Sequence, residues 1–530
     1  MNQMKQKCIL ALLLISATYL LCAFSTFRME DGKGHANVVT ASTPIDTTKG
    51  GTIWTRSFSN VGTTSCNSIP ILTENSIYIV NNNQLYELDF LGNIKRQLTL
   101  SAKMNSISNL LLHEDSLYIP LSGGFIECIN ISTMTSQWKS EVFGGQSLST
   151  LFYHEGYLYG GSTTIKNTDD TTGIFYCLNT SDGSTQWTYQ DENNPGGYYW
   201  SGGIVCKNAL YFTGDSGILI SHSLTTDDIY SSHKLTEEPI RAGITYDAKT
   251  DALYTVSQSG TLYKIKTSDQ GMIETVTSTS IMPNASFVHC TSTPTIYNER
   301  IYIGCLADKY GHLCVLNADT LSYIYSTKGS QYGEIKSSPL VSSGYANQNN
   351  HHQVYIYVSA NCPPGSVFVL SDNETSTTGT LKTLYTPAKA KQYCMSSIVC
   401  GTDGTLYYSN DTGTLFAVNE VAVSSDKPTE AIPQTNSSSK NTIKKPKRPV
   451  QIKYKKKKKK YIVTWKKKNK KNQTIIYIKR GTGKWKKTII KKKQRFVIKR
   501  TKKKIRIRLR CRIKKNKCWY YSSYTRIIKL

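Results

Sequence analysis

The side chains best suited to bind a ligand are aromatic and amide residues in short polar segments, two of which contain a glycine pair. Aromatic rings stack on sugars and peptide groups, and amides form paired hydrogen bonds, so this set favours recognition of a glycan, a peptide or a protein. For most of these residues a role in packing between blades is favoured over ligand binding. For Trp200 the two roles are equally supported. The candidate ligand-binding residues are Gln146, Tyr198, Tyr199, Trp200, Arg241, Gln331, Tyr332, Gln392 and Tyr393.

Enzymatic motifs are missing from the sequence. It has no GxSxG, HExxH or Walker pattern, and no pair of carboxylates at catalytic spacing. The histidines are scattered apart from His351-His352, and no cysteine pair has the CxxC spacing of a zinc site. We therefore expect no metal and no cofactor, and we predict a protein that is not an enzyme.

The second kind of chemistry is electrostatic and lies at the C-terminus. Residues 444–530 contain 39 Lys and Arg and no Asp or Glu, whereas the whole chain has 65 basic and 36 acidic residues. The first 443 residues therefore carry 65 − 39 = 26 basic and 36 acidic residues, a formal charge of −10. Such a cation density predicts a polyanionic partner. The candidate polyanion-binding residues are Lys466, Lys467, Lys468, Arg506, Arg508, Arg510 and Arg512.

The N-terminus indicates where that partner is met. Met1–Lys7 is a short basic segment, and an apolar run over Cys8–Phe24 follows it before small and polar residues. This pattern predicts a signal peptide over residues 1–25, although a retained anchor is the alternative. No later segment is long and apolar enough to span a membrane. We expect a secreted protein that is associated with the cell envelope, so anionic wall polymer or acidic glycan is favoured over nucleic acid as the partner.

A repeat predicts the fold of the middle of the chain. A branched apolar residue followed by tyrosine recurs in eight regularly spaced copies, whose successive tyrosines are 40 to 53 residues apart. Each copy leads through a polar turn into a second short apolar run, which reads as a hairpin. Four short strands at this period predict an all-β propeller with eight blades over residues 50–423, or seven if one copy is an insertion. The repeat tyrosines are Tyr78, Tyr118, Tyr159, Tyr211, Tyr254, Tyr302, Tyr355 and Tyr407.

The ends of this repeat array are expected to join. The last copy stops after Val418–Val423 without an outer strand, and Gly51–Thr55 has the outer-strand form with its tryptophan. Pairing these two segments would leave no open sheet edge. Residues 26–49 are then a linker.

Twelve cysteines remain after the leader, an even number that permits disulfides in an exported protein. The spacing of Cys305 and Cys314, and of Cys511 and Cys518, would allow each pair to meet across a hairpin. Buried free thiols are the alternative for most of the cysteines.

The basic segment has the pattern of a folded module. Residues 424–449 form a Ser/Thr/Pro/Lys linker, and apolar residues then alternate with cations, as in Ile505–Arg512. Alternation with period two is typical of half-buried strands, so residues 450–530 are predicted to form a small β-sandwich. A disordered polycation is the alternative.

The Ser-Ser-Pro inner strand, the apolar-Tyr pair, the glycine turn and the following Leu-Tyr-x-Leu and Trp resemble the pyrroloquinoline-quinone-type (PQQ-like) propeller repeat. Segments such as Gly196–Trp200 and Tyr407–Asp411 resemble secreted propeller proteins of Gram-positive bacteria. The C-terminal segment resembles a fibronectin type III or Ig-like module, with Trp465 at the family's core tryptophan.

The resemblance implies one enzymatic alternative to a binding protein, a quinone-dependent dehydrogenase, which would carry an adjacent cysteine pair that this chain lacks. A scaffold for envelope protein assembly is a second, non-enzymatic alternative.

Overall fold

The computed structural model describes residues 37–58, 67–105, 108–163, 173–191, 197–327, 333–421, 449–466, 473–480, 486–490, 494–501, 504–515, 518–521 and 528–529. Nearly every regular element in these ranges is a β-strand, and one short 3-10 helix spans Gln348–Asn350. None of the helical segments within the described ranges has the length and apolarity needed to cross a membrane. The predicted leader, residues 1–25, lies outside the described residues. The chain divides into two units, Met1–Ser425 and Asp426–Leu530.

The strands of the first unit are numbered along the chain. The first two, which belong to the last two sheets, are β1 (Val38–Val39) and β2 (Gly50–Ser57). The next two groups of four are β3 (Ile71–Leu72), β4 (Ile77–Asn81), β5 (Gln84–Leu88), β6 (Ile94–Thr99), and β7 (Leu111–His113), β8 (Ser116–Leu121), β9 (Phe125–Asn130), β10 (Thr135–Lys139). Two more groups are β11 (Phe152–His154), β12 (Tyr157–Gly161), β13 (Ile174–Asn179), β14 (Thr185–Gln190), and β15 (Gly203–Cys206), β16 (Ala209–Phe212), β17 (Ile218–His222), β18 (Ile229–Lys234).

The second half of this unit continues the pattern. The fifth and sixth groups are β19 (Thr245–Asp247), β20 (Ala252–Val256), β21 (Thr261–Thr267), β22 (Ile273–Ser280), and β23 (Val288–His289), β24 (Thr295–Tyr297), β25 (Arg300–Ala307), β26 (Tyr310–Asn317), β27 (Tyr323–Ser326). The last two are β28 (Leu340–Ser342), β29 (Val354–Ser359), β30 (Val367–Asp372), β31 (Lys382–Tyr385), and β32 (Val399–Cys400), β33 (Leu406–Asn410), β34 (Thr414–Glu420).

Each group forms one antiparallel sheet, so the described part of this unit contains eight sheets of four or five strands. We call them blades 1 to 8. The first strands of neighbouring blades contact one another, for example β7 with β11 and β11 with β15, which places them around a common axis. The predicted all-β propeller is therefore confirmed as the fold, with one sheet for each tyrosine repeat.

The repeat tyrosines connect neighbouring blades. Tyr159, Tyr211 and Tyr254 are fully buried on the second strands of their blades. Their hydroxyl groups donate to carbonyl oxygens of the following blade: Tyr159 to Leu224 at 3.0 Å, Tyr211 to Gly271 at 2.8 Å and Tyr254 to Ala318 at 2.7 Å. A buried hydroxyl needs such a partner, and the repeat supplies one at these three junctions.

In blade 7 the tyrosine with this role is Tyr357, not the predicted Tyr355. Leu340 of β28 pairs with Tyr357, just as Thr295 of β24 pairs with Tyr302 in blade 6. Tyr357 is fully buried and donates to the carbonyl oxygen of Pro44 at 2.8 Å, whereas Tyr355 is partly exposed. Two tyrosines with period two lie on the same face of β29, so the sequence motif alone did not separate them.

The closure predicted from the sequence is confirmed. Strand β2 pairs antiparallel with β34, and Trp54 lies opposite Ala417. The N-terminal strand thus becomes the outer strand of blade 8, and no open edge separates the two ends. Part of the predicted linker also joins a sheet, because β1 pairs in parallel with the first strand of blade 7, β28.

One buried ion pair joins blades 6 and 7. Asp372, which is 1% exposed, accepts hydrogen bonds from Arg300 Nη1 at 3.2 Å, from the hydroxyl of Tyr302 at 2.8 Å and from that of Tyr325 at 2.6 Å. The carboxylate is thus satisfied at several of its lone pairs, which a buried charge requires.

Cys305 and Cys314 are free thiols in the structure. The register pairs Cys305 with His312 and Ile303 with Cys314, so the two cysteines are diagonal neighbours rather than directly opposite. Their Sγ atoms are 3.6 Å apart, a non-bonded contact. Hydrogen bonding to Cys314, together with burial, raises the pKa of the Cys305 thiol well above its ordinary value.

The second unit contains two antiparallel sheets. Its strands are β35 (Val450–Lys457), β36 (Lys460–Lys466), β37 (Gln473–Arg480), β38 (Lys486–Ile490), β39 (Arg495–Lys499), β40 (Ile505–Lys515), β41 (Cys518–Tyr521) and β42 (Ile528–Lys529). Sheet I has the order β35-β36-β39. Sheet II has the order β38-β37-β40-β41, with β42 also paired to β40.

Side chains from both sheets form one core, as the sandwich prediction requires. Val463 and Trp465 of sheet I and Ile507 and Leu509 of sheet II are buried together. Trp465 Nε1 donates to Thr474 Oγ1 at 3.0 Å, which satisfies the polar end of the buried indole. The described part of this unit is therefore folded, and the alternative of a disordered polycation does not apply to it.

The predicted Cys511–Cys518 pairing does not fit the register. Cys511 is a buried free thiol, and the backbone of Cys518 lies opposite Lys515. Because Lys515 is four residues beyond Cys511 on β40, the two cysteine Cα atoms are about 13 Å apart, too far for a disulfide.

Candidate functional site

The ends of the first strands surround a small cavity on the propeller axis. Each blade has one residue that pairs with its buried repeat tyrosine, such as Ile71 with Tyr78 and Leu340 with Tyr357. Every residue that lines the cavity lies two or four positions before such a residue, because alternate side chains of an extended segment point to the same side. The residues two positions before are Ile69, Asn109, Thr150, Thr293, Ser338 and Ser397. Those four positions before are Trp200, Arg241, Thr291, Lys336 and Met395.

Hydrogen bonds between blades hold this ring of residues in place. The Gly243 N–H donates to Thr293 Oγ1 at 2.9 Å, and the Thr293 N–H donates to Ser338 Oγ at 3.3 Å. The Ser338 N–H in turn donates to Ser397 Oγ at 3.1 Å. Side-chain hydroxyl groups thus satisfy the backbone of the preceding blade, which fixes the shape of the cavity wall.

The other side of the ring is built in the same way. Asn109 Nδ2 donates to Thr150 Oγ1 at 3.1 Å, and Thr150 Oγ1 donates to the carbonyl oxygen of Trp200 at 3.1 Å. This chain links blades 2 and 3 to the segment that carries Trp200. Trp200 itself has a φ of +63°, in the left-handed region that a bulky residue rarely adopts. Local strain of this kind is frequent at binding sites.

Three polar atoms of the cavity lining find no hydrogen-bond partner among the residues that the structure describes: Asn109 Oδ1, Thr291 Oγ1 and Trp200 Nε1. Asn109 is only 8% exposed and Thr291 only 7%. A buried polar group without a partner costs about 1–3 kcal/mol, so the cavity favours a guest that can both accept and donate hydrogen bonds. Trp200 Nε1 can only donate and Asn109 Oδ1 can only accept.

Two cations flank these atoms, and each has an acidic neighbour. Arg241 Nε and Nη2 donate to the two carboxylate oxygens of Asp215, both at 2.9 Å. The guanidinium carbon of Arg241 lies 4.5 Å from the ring centroid of Tyr199, and Lys336 Nζ lies 5.5 Å from that of Trp200. Cations at these distances are attracted to the aromatic faces. Burial raises the pKa of Tyr199 against the opposing effect of Arg241, so its hydroxyl stays protonated at neutral pH.

A hydrogen-bonded chain extends from Lys336 across the same face. Lys336 Nζ is 3.3 Å from Glu334 Oε2, and Glu334 Oε1 is 2.7 Å from His289 Nδ1. His289 also lines a separate surface cleft of about 500 Å³, together with the exposed ring of Phe287. This face therefore carries a small polar cavity and, next to it, a larger cleft.

The structure brings three of the predicted ligand-binding residues to the cavity region: Tyr199, Trp200 and Arg241. Tyr198 is 5% exposed and packs its ring edge-on against Phe175 at 5.0 Å, so it is a packing residue. Its ring packs between Phe175 and Phe212, whereas the ring of the next residue, Tyr199, contacts Trp200 and Arg241.

Three other predicted residues, Gln146, Gln392 and Tyr393, do not line the cavity. The backbone of Gln146 forms two hydrogen bonds of 2.9 Å with the backbone of Thr163, one in each direction. Tyr393 is 48% exposed, and the Gln392 side chain accepts a hydrogen bond from its N–H at 3.1 Å. Gln331 and Tyr332 lie outside the described residues. The sequence analysis missed Asn109, Thr291 and Lys336, although their fixed distance from the tyrosine pairing position was a usable signal.

The basic unit presents its predicted residues on both sheets. Arg506, Arg508, Arg510 and Arg512 alternate with the buried residues of β40 and lie on the outer side of sheet II. Lys466 is exposed on the outer side of sheet I, and Lys467 and Lys468 lie outside the described residues.

Cross-strand contacts hold the arginine row. The guanidinium carbons of Arg508 and Arg510 lie 5.7 and 5.5 Å from the ring centroid of Tyr477, and Arg510 Nη2 donates to the Tyr477 hydroxyl at 2.9 Å. Arg512 Nε donates to Gln473 Oε1 at 2.9 Å. These contacts restrict the side chains of the row, and guanidinium groups as a class form paired hydrogen bonds with phosphate or carboxylate oxygens.

Metal binding has no evident site. The described ranges contain no group of three or more His, Cys, Asp or Glu side chains placed to hold a metal ion. The expectations that the protein uses no metal and no cofactor stay predictions.

Comparison with known proteins supports the fold. No protein-family model matches the sequence, and no curated protein matches it either. Among solved structures, BamB from Moraxella catarrhalis superposes with a TM-score of 0.51 at 13% identity, covering 70% of this chain and 99% of that one. The quinohemoprotein alcohol dehydrogenase ADHIIG from Pseudomonas putida HK5 gives 0.54 at 11% identity, covering 79% and 83%. A europium-containing methanol dehydrogenase gives 0.51 at 11% identity, covering 70% and 87%. At these identities the likeness shows a PQQ-like β-propeller and nothing of the activity.

Proposed function

We propose that this chain is a secreted, non-catalytic binding protein. The propeller binds a glycan, peptide or protein through the face that carries the cavity, and the basic unit attaches the molecule to anionic polymers of the cell envelope. The observation that carries the proposal is a folded sandwich in a segment, residues 444–530, that contains 39 cations and no acidic residue.

The energetics of the basic unit support an anionic partner. Like charges repel within a small folded module, and this segment has no side-chain carboxylate to offset them. A bound polyanion relieves that repulsion and releases its counterions, so binding gains from both effects. Wall teichoic acid and other polymers with repeating phosphates are the partners that a secreted address favours, ahead of nucleic acid.

The size and polarity of the axial cavity support recognition of a group rather than of a whole cofactor. The cavity measures about 50 Å³, whereas a site that encloses a drug-sized ligand measures about 300–1,000 Å³. A hydroxyl or amide group of a larger ligand fits, because it offers both an acceptor for Trp200 Nε1 and a donor for Asn109 Oδ1. The rest of such a ligand would lie on the surrounding face.

Retention on an anionic polymer tests the attachment. The full chain and a variant with Arg506, Arg508, Arg510 and Arg512 changed to Gln are passed over immobilised poly(glycerol phosphate) at physiological salt. We expect the native chain to be retained and then released by high salt, and we expect the variant to elute earlier. Equal retention of the two proteins would contradict the assignment of this arginine row.

Two alternatives have their own readouts. A quinone-dependent dehydrogenase would bind added pyrroloquinoline quinone in the presence of calcium and would reduce a dye when given an alcohol. An assembly scaffold would recover envelope proteins on the propeller face, and the Trp200→Ala substitution would reduce that recovery. A glycan and protein array probed with the full chain separates a glycan ligand from a protein ligand.

A further inference from the structure

The two sheets of the basic unit present their cations in opposite directions. Val463, Trp465 and Ile498 of sheet I point inward and pack against Ile507 and Leu509 of sheet II. Because side chains alternate along a strand, the residues between them point outward from each sheet. The unit therefore has two outer surfaces, face I on sheet I and face II on sheet II, with one core between them.

Face I is a grid of exposed cations on three paired strands. The register places Lys457 opposite Lys460 and Lys460 opposite Lys499, so three cations lie side by side across the sheet. Like charges directly opposite one another destabilise a sheet. The cations assigned to face I by register and exposure are Lys453, Lys455, Lys457, Lys460, Arg495 and Lys499.

Face II is a row of arginines rather than a grid of lysines. Arg506, Arg508, Arg510 and Arg512 are spaced two residues apart on β40, which corresponds to about 7 Å between neighbours and about 20 Å over the row. Tyr477 and Gln473 hold this row through the contacts described above. Lys479 lies opposite Arg506 and extends the positive surface onto β37.

One short anion cannot serve both faces. The two sheets of a sandwich are about 10 Å apart, and outward side chains on both sides add to that distance. An oligomer that fills the row of face II would have to pass around a sheet edge to reach face I. Residues 444–530 have no Asp or Glu, so neither face receives a side-chain carboxylate from within the module.

We propose that the basic unit binds two polyphosphodiester chains at once, one on each face, and thereby crosslinks them. Guanidinium groups on face II bind successive phosphates through paired hydrogen bonds, and ammonium groups on face I bind them as point charges. This inference rests on the proposed attachment to anionic polymer. It adds a second binding surface and a consequence, bridging between polymer chains.

Binding stoichiometry is the first part of the test. Oligomers of poly(glycerol phosphate) with six repeats are titrated into the full chain by calorimetry at low salt. Two oligomers per protein are expected. The variants Lys453→Gln/Lys455→Gln/Lys457→Gln on face I and Arg508→Gln/Arg510→Gln/Arg512→Gln on face II should each bind one.

Light scattering with long poly(glycerol phosphate) is the second part. The native chain should raise the scattering several-fold, reversibly in high salt. Each face variant should remain bound in a sedimentation assay but should lose that rise. The matched control removes three exposed propeller lysines, Lys382→Gln/Lys389→Gln/Lys391→Gln, and should behave like the native chain.

The possible outcomes separate this inference from the proposed function. A single oligomer per native protein, or an undiminished scattering rise in both face variants, would overturn crosslinking while leaving attachment intact. Absence of any binding would overturn both. Each face variant removes like-charge repulsion, so we expect it to fold. Circular dichroism with thermal melting verifies this before the titration.

Discussion

Replacing Thr291 by Val should stabilise the propeller, because the hydroxyl of Thr291 is buried in the axial cavity without a hydrogen-bond partner in the described part of the chain. Val has nearly the same shape and removes that hydroxyl. Burying an unsatisfied polar group costs about 1–3 kcal/mol, so the free energy of unfolding should rise by up to that amount. On this account the native Thr291 lowers the free energy of unfolding by that amount, and in return its hydroxyl is available to a ligand.

The neighbouring threonine provides a matched control with the opposite sign. Thr293 Oγ1 accepts the Gly243 N–H at 2.9 Å, so Thr293→Val leaves a backbone donor without its partner. That loss should reduce the free energy of unfolding by about 1–3 kcal/mol. The two substitutions have the same chemistry and lie two residues apart, and the hydrogen-bonding state of the hydroxyl predicts opposite signs for them.

The assay is the thermal unfolding midpoint of the full chain, followed by tryptophan fluorescence. An unfolding entropy of about 2.1 cal/mol/K per residue gives about 0.8 kcal/mol/K for a propeller of about 380 residues, or about 1.3 °C per kcal/mol. Thr291→Val should therefore melt about 1–4 °C above the native chain, and Thr293→Val about 1–4 °C below it. If Thr291→Val melts below the native chain by as much as Thr293→Val does, the reasoning about the unsatisfied hydroxyl is refuted.

Three further predictions concern the junctions between blades. Asp372→Asn leaves the guanidinium it binds without its counter-charge, so the free energy of unfolding should fall by about 3–5 kcal/mol and the melting midpoint by about 4–6 °C; an unchanged midpoint would argue against the buried pair. Tyr254→Phe removes the hydrogen bond to the carbonyl oxygen of Ala318 and should reduce the free energy of unfolding in denaturant titration by about 1–2 kcal/mol, whereas no change would mean that the bond contributes nothing. The hydrogen bond from Lys207 lowers the pKa of Asp251 below its unfolded value of about 3.9, so its stabilising contribution is present above pH 4 and is lost as the pH falls through the folded pKa. Asp251→Asn should accordingly lose less in melting midpoint between pH 5 and pH 3 than the native chain, and equal losses would contradict the assignment.

The architecture was predictable because the repeat tyrosine has one structural task. The repeat tyrosine is buried on the second strand of its blade, and at three junctions its hydroxyl reaches the next blade, so its spacing follows the blade period. Blade 7 is the exception. In β29 both Tyr355 and Tyr357 fit the pattern, and only the pairing with Leu340 identifies Tyr357 as the buried one. Register depends on long-range pairing, which a local motif does not encode.

The axial cavity was harder to predict because its lining residues occupy equivalent register positions in their blades but differ in side-chain type. Trp200, Arg241 and Lys336 are equivalent in register, yet one is aromatic and two are cationic. The sequence analysis selected aromatic and amide side chains and one cation, Arg241, which found Trp200 and Arg241 but also the packing residue Tyr198. Counting back from the tyrosine pairing position identifies the cavity lining directly, once the register is known.

The pairing of cysteines predicted from their spacing does not fit the register, for a related reason. Cys305 and Cys314 do belong to one hairpin, but its tight turn places Cys305 opposite His312. A disulfide depends on a register shift of one or two residues that spacing alone does not resolve.

The salt dependence of polymer binding tests the central claim most directly. The association constant of the full chain for poly(glycerol phosphate) is measured against NaCl concentration, for the native protein and for the variant with Arg506, Arg508, Arg510 and Arg512 changed to Gln. Each phosphate contact contributes about 0.7–0.9 to the slope of log K against log salt, so the variant should have a slope shallower by about 3. A native slope near zero, or identical slopes for the two proteins, would contradict the proposal that the acid-free module attaches this protein to a polyanion.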